Sequence, residues 1–400
     1  MSTEAGDVHF VIGHVRSTSF LALKISGLKT YQLMATNKNQ HFVPRCYLRA
    51  FTQNGENVAI NLLNLDRQRA IPDAPVKNQC SGDYFYGQDG RLESAIRLVE
   101  NGYAATAARI QQPRYELTDS DRSVLRTFML FQHLRTEAAS RRSVEMLSGM
   151  ESSVGTPLSG LTPSIKNAVQ MAMRAFASEM HLFDDLKVCL LRNKSKKPFV
   201  TLDDPAVVSN RWHKEDSRIC KTSPGLIACG TAVFLPVSPR TLCVAYDGDV
   251  YSVPNERGWT DVRNESAVEA LNEQQFLNAM GNVYFKAWED HSWVLSSYQA
   301  VQSRRLRFQH QVNYAVLDNS NGTHKRYCVV ERFNAEDHEE AIIHTQSLSP
   351  TPSRWPPQLQ WRSKGSVFTN GTGAGYVRAT LAPLRGGPDF WRENSGHLCY

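Results

Sequence analysis

Thr118-Asp-Ser-Asp-Arg-Ser-Val-Leu-Arg-Thr-Phe-Met-Leu-Phe-Gln-His-Leu-Arg-Thr-Glu-Ala-Ala-Ser-Arg-Arg-Ser-Val-Glu-Met146 contains neither glycine nor proline. It opens with Asp119 and Asp121, whose charges suit the positive end of a helix, so the stretch predicts one long helix over 118–146. At about 100° per residue, with Leu125 at zero, Met129 falls at ~40°, Phe128 at ~300°, Gln132 at ~340° and Arg135 at ~280°. Gln132 therefore points inward. Arg135 lies beside Phe128, where a partly buried guanidinium must find carboxylates, carbonyls or a ligand.

Upstream, Leu92, Ile96, Val99, Tyr103 and Ala107 recur at helical spacing behind Asp89-Gly90 and predict an amphipathic helix. Further upstream still, Pro44 can occupy the first turn of a helix running through Tyr47, Leu48 and Phe51. Downstream, Thr162 reads as the N-cap of a helix from Pro163 to about Leu182. A further helix is expected over about Glu265 to Glu289, with Asn272, Gln275 and Asn282 on the same stripe as Val268 and Leu271. Each buried amide left unpaired costs about 1 to 3 kcal/mol, so this stripe meets either a structural polar network or a cleft.

The β-type runs are Val58–Leu65, Leu186–Leu191, Phe199–Leu202, Ala232–Leu235 and Leu242–Tyr246, and Asn313–Leu317 with Tyr327–Arg332 reads as a hairpin. The fold class is mixed α+β: a helix-rich first half with long helices packed against a small, mostly antiparallel sheet. Residues 1–39 read as an N-terminal extension, with Met34 a second candidate start. Residues 40–345 read as one globular domain and residues 346–400 as a Pro/Gly-rich tail.

The 400 residues carry 45 basic and 39 acidic side chains, a formal charge of +6. That excess permits a nucleic-acid or nucleotide partner without requiring one. No run of about 18 uncharged apolar residues exists, which argues against a membrane partner. With no secretory pattern at the start, the expected location is cytoplasmic. The eight cysteines include no C-x-x-C pair and read as reduced thiols, with His213, Cys220 and Cys229 only a loose approach to a metal pattern. The chain has no P-loop, dinucleotide-binding glycine fingerprint, G-x-S-x-G elbow or H-E-x-x-H signature.

Gln40-His41-Phe42-Val43-Pro44-Arg45-Cys46-Tyr47-Leu48-Arg49-Ala50-Phe51 resembles the opening of a bacterial, archaeal and viral domain-of-unknown-function family marked by a His-(Tyr/Phe)-x-Pro motif. In matching order follow Tyr84-Phe85-Tyr86-Gly87 with Glu93, Phe131-Gln132-His133-Leu134-Arg135-Thr136, Thr201-Leu202-Asp203-Asp204-Pro205, Leu235-Pro236-Val237-Ser238-Pro239, and Leu271-Asn272 with Gln275. The resemblance spans about residues 40 to 290. Asp204 stands where the family has Asn, and Val237 where it has Leu. The resemblance marks positions and leaves the chemistry open.

Together these positions support an expectation of a hydrolase, a metal-dependent nuclease or phosphoesterase of bacterial defence or conflict. Glu93 and Asp203, with Asp204, would hold a divalent ion such as Mg²⁺ or Mn²⁺ through hard oxygen ligands. His41 would act as general base or further ligand, and Arg135 would offset charge on a phosphoryl oxygen. Gln132, Asn272 and Gln275 would orient substrate. The rival from another class is a non-catalytic ligand-binding or sensor module with an Arg/amide-lined pocket. A purely structural polar network is the third reading.

Overall fold

The computed structural model describes residues 37–154, 162–215, 225–306, 310–321, 324–331, 341–362, 365–369, 376–382 and 391–394. Helix α1 (Arg45–Leu48) follows Pro44 and continues as a 3-10 turn to Phe51. Helix α2 (Gly90–Ile110) is capped by Asp89, whose carboxylate accepts from the Arg91 amide. Helices α3 (Asp119–Arg135), α4 (Glu137–Val154) and α5 (Ile165–Glu179) follow. The N-cap of α5 is Ser164, not the expected Thr162, because the Ser164 hydroxyl accepts from the Asn167 amide. Later come α6 (Trp212–Glu215), α7 (Glu265–Asn278) and α8 (His291–Gln302).

The expected helix over 118–146 is broken. Thr136 adopts an extended conformation, φ −73° and ψ 160°, and separates α3 from α4. Its hydroxyl accepts from the Ala139 amide at 3.1 Å and donates to Asp204 Oδ1 at 2.8 Å. A buried carboxylate from a distant strand end thus holds the threonine as a cap, and capping Thr136 ends one helix while starting the next. The helix expected to reach Glu289 likewise stops at Asn278, and Asn282 lies instead in the strand Asn282–Phe285. The reason is Asp203, whose carboxylate accepts from the amides of Met280, Gly281 and Asn282 and stabilises a turn there.

The fold is mixed α+β, with the strands divided among several sheets in place of the single small sheet expected. A five-stranded sheet has the order Trp259–Val262, Lys187–Asn193, Thr241–Tyr246, Thr231–Ser238, Val207–Asn210. Its first two strands are parallel and the other pairs antiparallel. A four-stranded antiparallel sheet joins Arg69–Pro75, Ala59–Asn64, Asn282–Phe285 and Thr201–Leu202. The expected hairpin is present as His310–Asn321 with His324–Val330, and Ala341–Ser347 pairs on its other side.

Side chains alternate across a strand, and here both faces of the five-stranded sheet are buried. Val188, Leu190, Val233, Leu235, Cys243 and Ala245 face a core shared with α1, α2, α3 and α5. Cys189, Leu191, Ala232, Phe234, Leu242 and Val244 face the opposite core, which includes Ala267, Val268 and Leu271 of α7. This explains why these runs read as continuously apolar in the sequence. In the first core Tyr103 stacks on Phe128 with ring centroids 3.7 Å apart. Beyond Ser347, Trp355 and Trp361 both stack on Tyr251, at 5.7 and 5.3 Å. Among the described residues no helix is long and apolar enough to cross a membrane.

Candidate functional site

On α2, Glu93, Ile96, Arg97 and Glu100 recur at i, i+3, i+4 and i+7 and therefore share a face. Opposite them run the short strand Asn39–His41 and the start of α1, Pro44-Arg45-Cys46. A cleft of about 240 Å³ separates the two, with Tyr86 and Arg135 in its lining. The strand is fixed by pairing with Ser81–Asp83 and by Gln40, whose amide donates to the Gly87 carbonyl and accepts from the Tyr86 amide.

Arg135 is fully buried at the end of α3. Its Nε donates to the Tyr86 hydroxyl at 2.7 Å, Nη1 to Glu100 Oε1 at 2.8 Å and Nη2 to the His41 carbonyl at 2.6 Å. The Phe131 ring lies 4.4 Å from the guanidinium carbon. A planar fork satisfied on three edges is a brace: it sets the backbone of the His41 turn and presents no edge to a ligand.

His41 Nδ1 lies 3.0 Å from the Gln79 carbonyl. A carbonyl only accepts, so Nδ1 carries the hydrogen and Nε2 of the neutral ring is left as the acceptor. Burial lowers the His41 pKa against the raising effect of the Gln79 carbonyl, and the nearby Arg45 and Arg135 cations add to the lowering, which favours the neutral ring. Cys46, also in the cleft, is no thiolate, because burial pushes its pKa up to about 11. Glu93 accepts from Asn37 at 2.7 Å and from Arg97 at 2.9 Å, the ordinary i,i+4 helix pair.

His41, Glu93 and Arg135 are thus brought to one cleft, while the other sequence candidates lie elsewhere. Gln132 is buried and donates to the Phe42 carbonyl at 2.8 Å, just behind the turn. Asn272 bridges the Val200 amide and the Pro198 carbonyl, and Gln275 donates to the Pro205 and Phe234 carbonyls. These amides tie α7 to the irregular backbone at 198, 200 and 205 and to the strand Thr231–Ser238. Asp203 holds the 280–282 turn, and burial pushes its pKa up to about 6 despite the three amides it accepts from. Asp204 accepts from Thr136, Arg142 and Asn278.

The expected metal set of Glu93, Asp203 and Asp204 is therefore not assembled. Glu93 belongs to the cleft, and the two aspartates are engaged by the chain's own amides and Arg142. Among the described residues, no group of three or more His, Cys, Asp or Glu side chains stands where it could hold a metal ion. Of the loose metal pattern, the His213 side chain and Cys220 lie outside the described residues, and Cys229 donates to the Val377 carbonyl.

Sequence reasoning missed Glu100 as the carboxylate for Arg135 and missed Arg45 in the cleft. Glu100 carried a usable signal, since it lies seven residues after Glu93 on the same helical face. Arg45 had only its place next to Pro44.

No functionally curated protein and no solved structure matches the chain. One family model does match, described as a protein of unknown function (DUF4238), and it spans residues 39–288. That span takes in the His41 strand, the cleft-lining face of α2, the Arg135 brace and the Asp203-Asp204 turn, and the chain belongs to this family.

Proposed function

We propose that the chain is a non-catalytic binding module whose cleft between α2 and the His41 turn receives a small polar ligand. The observation that carries this reading is the state of His41. Its Nδ1 is tied to the Gln79 carbonyl and its backbone carbonyl to Arg135, so an acceptor nitrogen is held in one tautomer at the end of a fixed strand. Groups already fixed before binding lose little freedom on binding, which favours affinity. The amides of Asn37 and Asn101 and the acid–base pair Glu93–Arg97 add donors and acceptors to the same walls.

The metal-dependent nuclease or phosphoesterase reading has less support. The carboxylates it needs around an ion are engaged apart from one another, and Cys46 offers a protonated thiol and no activated nucleophile.

The test is a thermal-shift screen of small polar metabolites against the full chain, run in EDTA. A true ligand at a hundredfold excess over its Kd stabilises by about 2.7 kcal/mol. Asn101 is exposed at the cleft, so Asn101→Trp fills the space without breaking a core contact. The expected result is a stabilising ligand in EDTA that Asn101→Trp no longer binds. Turnover of a phosphodiester or phosphomonoester by the wild type, abolished by EDTA and by Glu93→Gln, would overturn the proposal.

A further inference from the structure

Among the described residues, the ionic groups of the cleft do not cancel. Arg135 is matched by Glu100 at 2.8 Å and Arg97 by Glu93 at 2.9 Å. Arg45 lines the same cleft and makes no ion pair among the described residues; its guanidinium donates to the Asn57 carbonyl at 3.1 Å. Among the described residues one positive charge is therefore left over, on a long exposed side chain that can swing without disturbing the core. Arg45 is also close enough to His41 to depress its basicity, which puts the cation and the ring in each other's field. Nε2 of His41 has no hydrogen-bond partner among the described residues.

Resting on the binding reading above, the geometry points to a small organic anion as the ligand. Its carboxylate or phosphate pairs with Arg45, and a hydroxyl or N–H of the same molecule donates to His41 Nε2. Glu93 and Glu100 make a purely anionic molecule of high charge a poor occupant, because they already face the space. A single anionic group next to a donor satisfies Arg45 and His41 together and leaves both native ion pairs intact. Charge-assisted hydrogen bonds to a guanidinium are stronger than neutral ones, so Arg45 sets the sign of the ligand and His41 its donor group.

The experiment follows the histidine side-chain nitrogens of the full chain by long-range ¹H–¹⁵N NMR at constant ionic strength, with His41 assigned by comparison with His41→Phe. The probes are glycolate and glycerol 3-phosphate, which distinguish carboxylate from phosphate, with glycerol as neutral and ethanolamine as cationic counterparts. The expected result is that at least one anion shifts the His41 Nε2 signal saturably while glycerol and ethanolamine do not. In Arg45→Gln the affinity falls about tenfold or more, and Arg45→Lys recovers part of it. Equal shifts from ethanolamine, or wild-type affinity in Arg45→Gln, overturn the anion assignment and leave the cleft standing as a binding site. If no probe moves His41, the assignment is overturned outright, and the cleft falls with it only if the metabolite screen is also silent.

Discussion

Arg135 donates through Nη2 to the backbone carbonyl of His41 at 2.6 Å, so a side chain at the end of α3 fixes a turn 94 residues earlier in the chain. Removing it leaves Glu100 without its cation and the Tyr86 hydroxyl and His41 carbonyl without their donor. Breaking one side of such a buried pair costs about 3 to 5 kcal/mol. Arg135→Met is expected to lower the urea unfolding free energy by an amount in that range. Arg135→Lys is expected to recover only part of it, because one ammonium cannot serve three separated acceptors. A loss below about 1 kcal/mol in equilibrium urea unfolding would show that the brace is not structural.

The inward-facing amides are expected to differ in cost. Asn272 has both ends paired, so Asn272→Leu strands the Val200 amide and the Pro198 carbonyl and should cost roughly 2 to 4 kcal/mol. Gln132 has its Nε2 paired, but its buried Oε1 has no partner among the described residues. Gln132→Leu therefore loses one bond and relieves one orphan, and is expected to cost about 1 kcal/mol. Chemical denaturation of the two variants side by side decides the order, and a larger loss for Gln132→Leu contradicts it.

Thr136 is expected to be irreplaceable by an isostere. Thr136→Val keeps the shape but removes the cap on Ala139 and the donor to Asp204, leaving a buried carboxylate that keeps Arg142 and Asn278 as its side-chain donors among the described residues. The expected loss is about 1 to 3 kcal/mol, against less than about 1 for Thr136→Ser, which retains the hydroxyl. Hydrogen exchange of the Ala139 amide gives the local readout: protection should fall in the valine variant and persist in the serine variant.

His133 is expected to give the protein a measurable acid sensitivity. It is partly buried beside Arg142, and burial first, then that cation, lowers its pKa to about 4. The unfolded chain takes up this proton below the ordinary value of about 6.5 and the folded chain only below about 4, so stability is lost as pH falls through that window. Asp203, pushed up to about 6, works in the opposite sense: the folded chain holds its proton more tightly, and ionisation costs stability as pH rises between about 4 and 6. The measurement is therefore a difference. The urea midpoint of wild type minus that of His133→Asn is expected to fall between pH 6.5 and 4, and a flat difference would contradict the assignment.

The sequence by itself determined what depends on neighbours along the chain. The α2 face, the 310–330 hairpin and the inward direction of Gln132 and Arg135 follow from local periodicity and turn chemistry. The family landmarks placed His41 and Arg135 on the same short list of positions. Tertiary structure decided where helices stop and which charges meet. Thr136 can cap a helix through the Ala139 amide, but the sequence around it has no glycine or proline to force the break, and its hydroxyl is held by Asp204, 68 residues away. Near Asn278 the sequence offers Gly281 as a local stop signal, and the tertiary contribution is Asp203, whose carboxylate accepts from the amides of the turn. The choice of Glu100 for Arg135, and the dispersal of Glu93, Asp203 and Asp204, follow from the same cause. A buried charge must find its partner in three dimensions, and the energy that selects the partner depends on distance and burial, which local spacing does not encode.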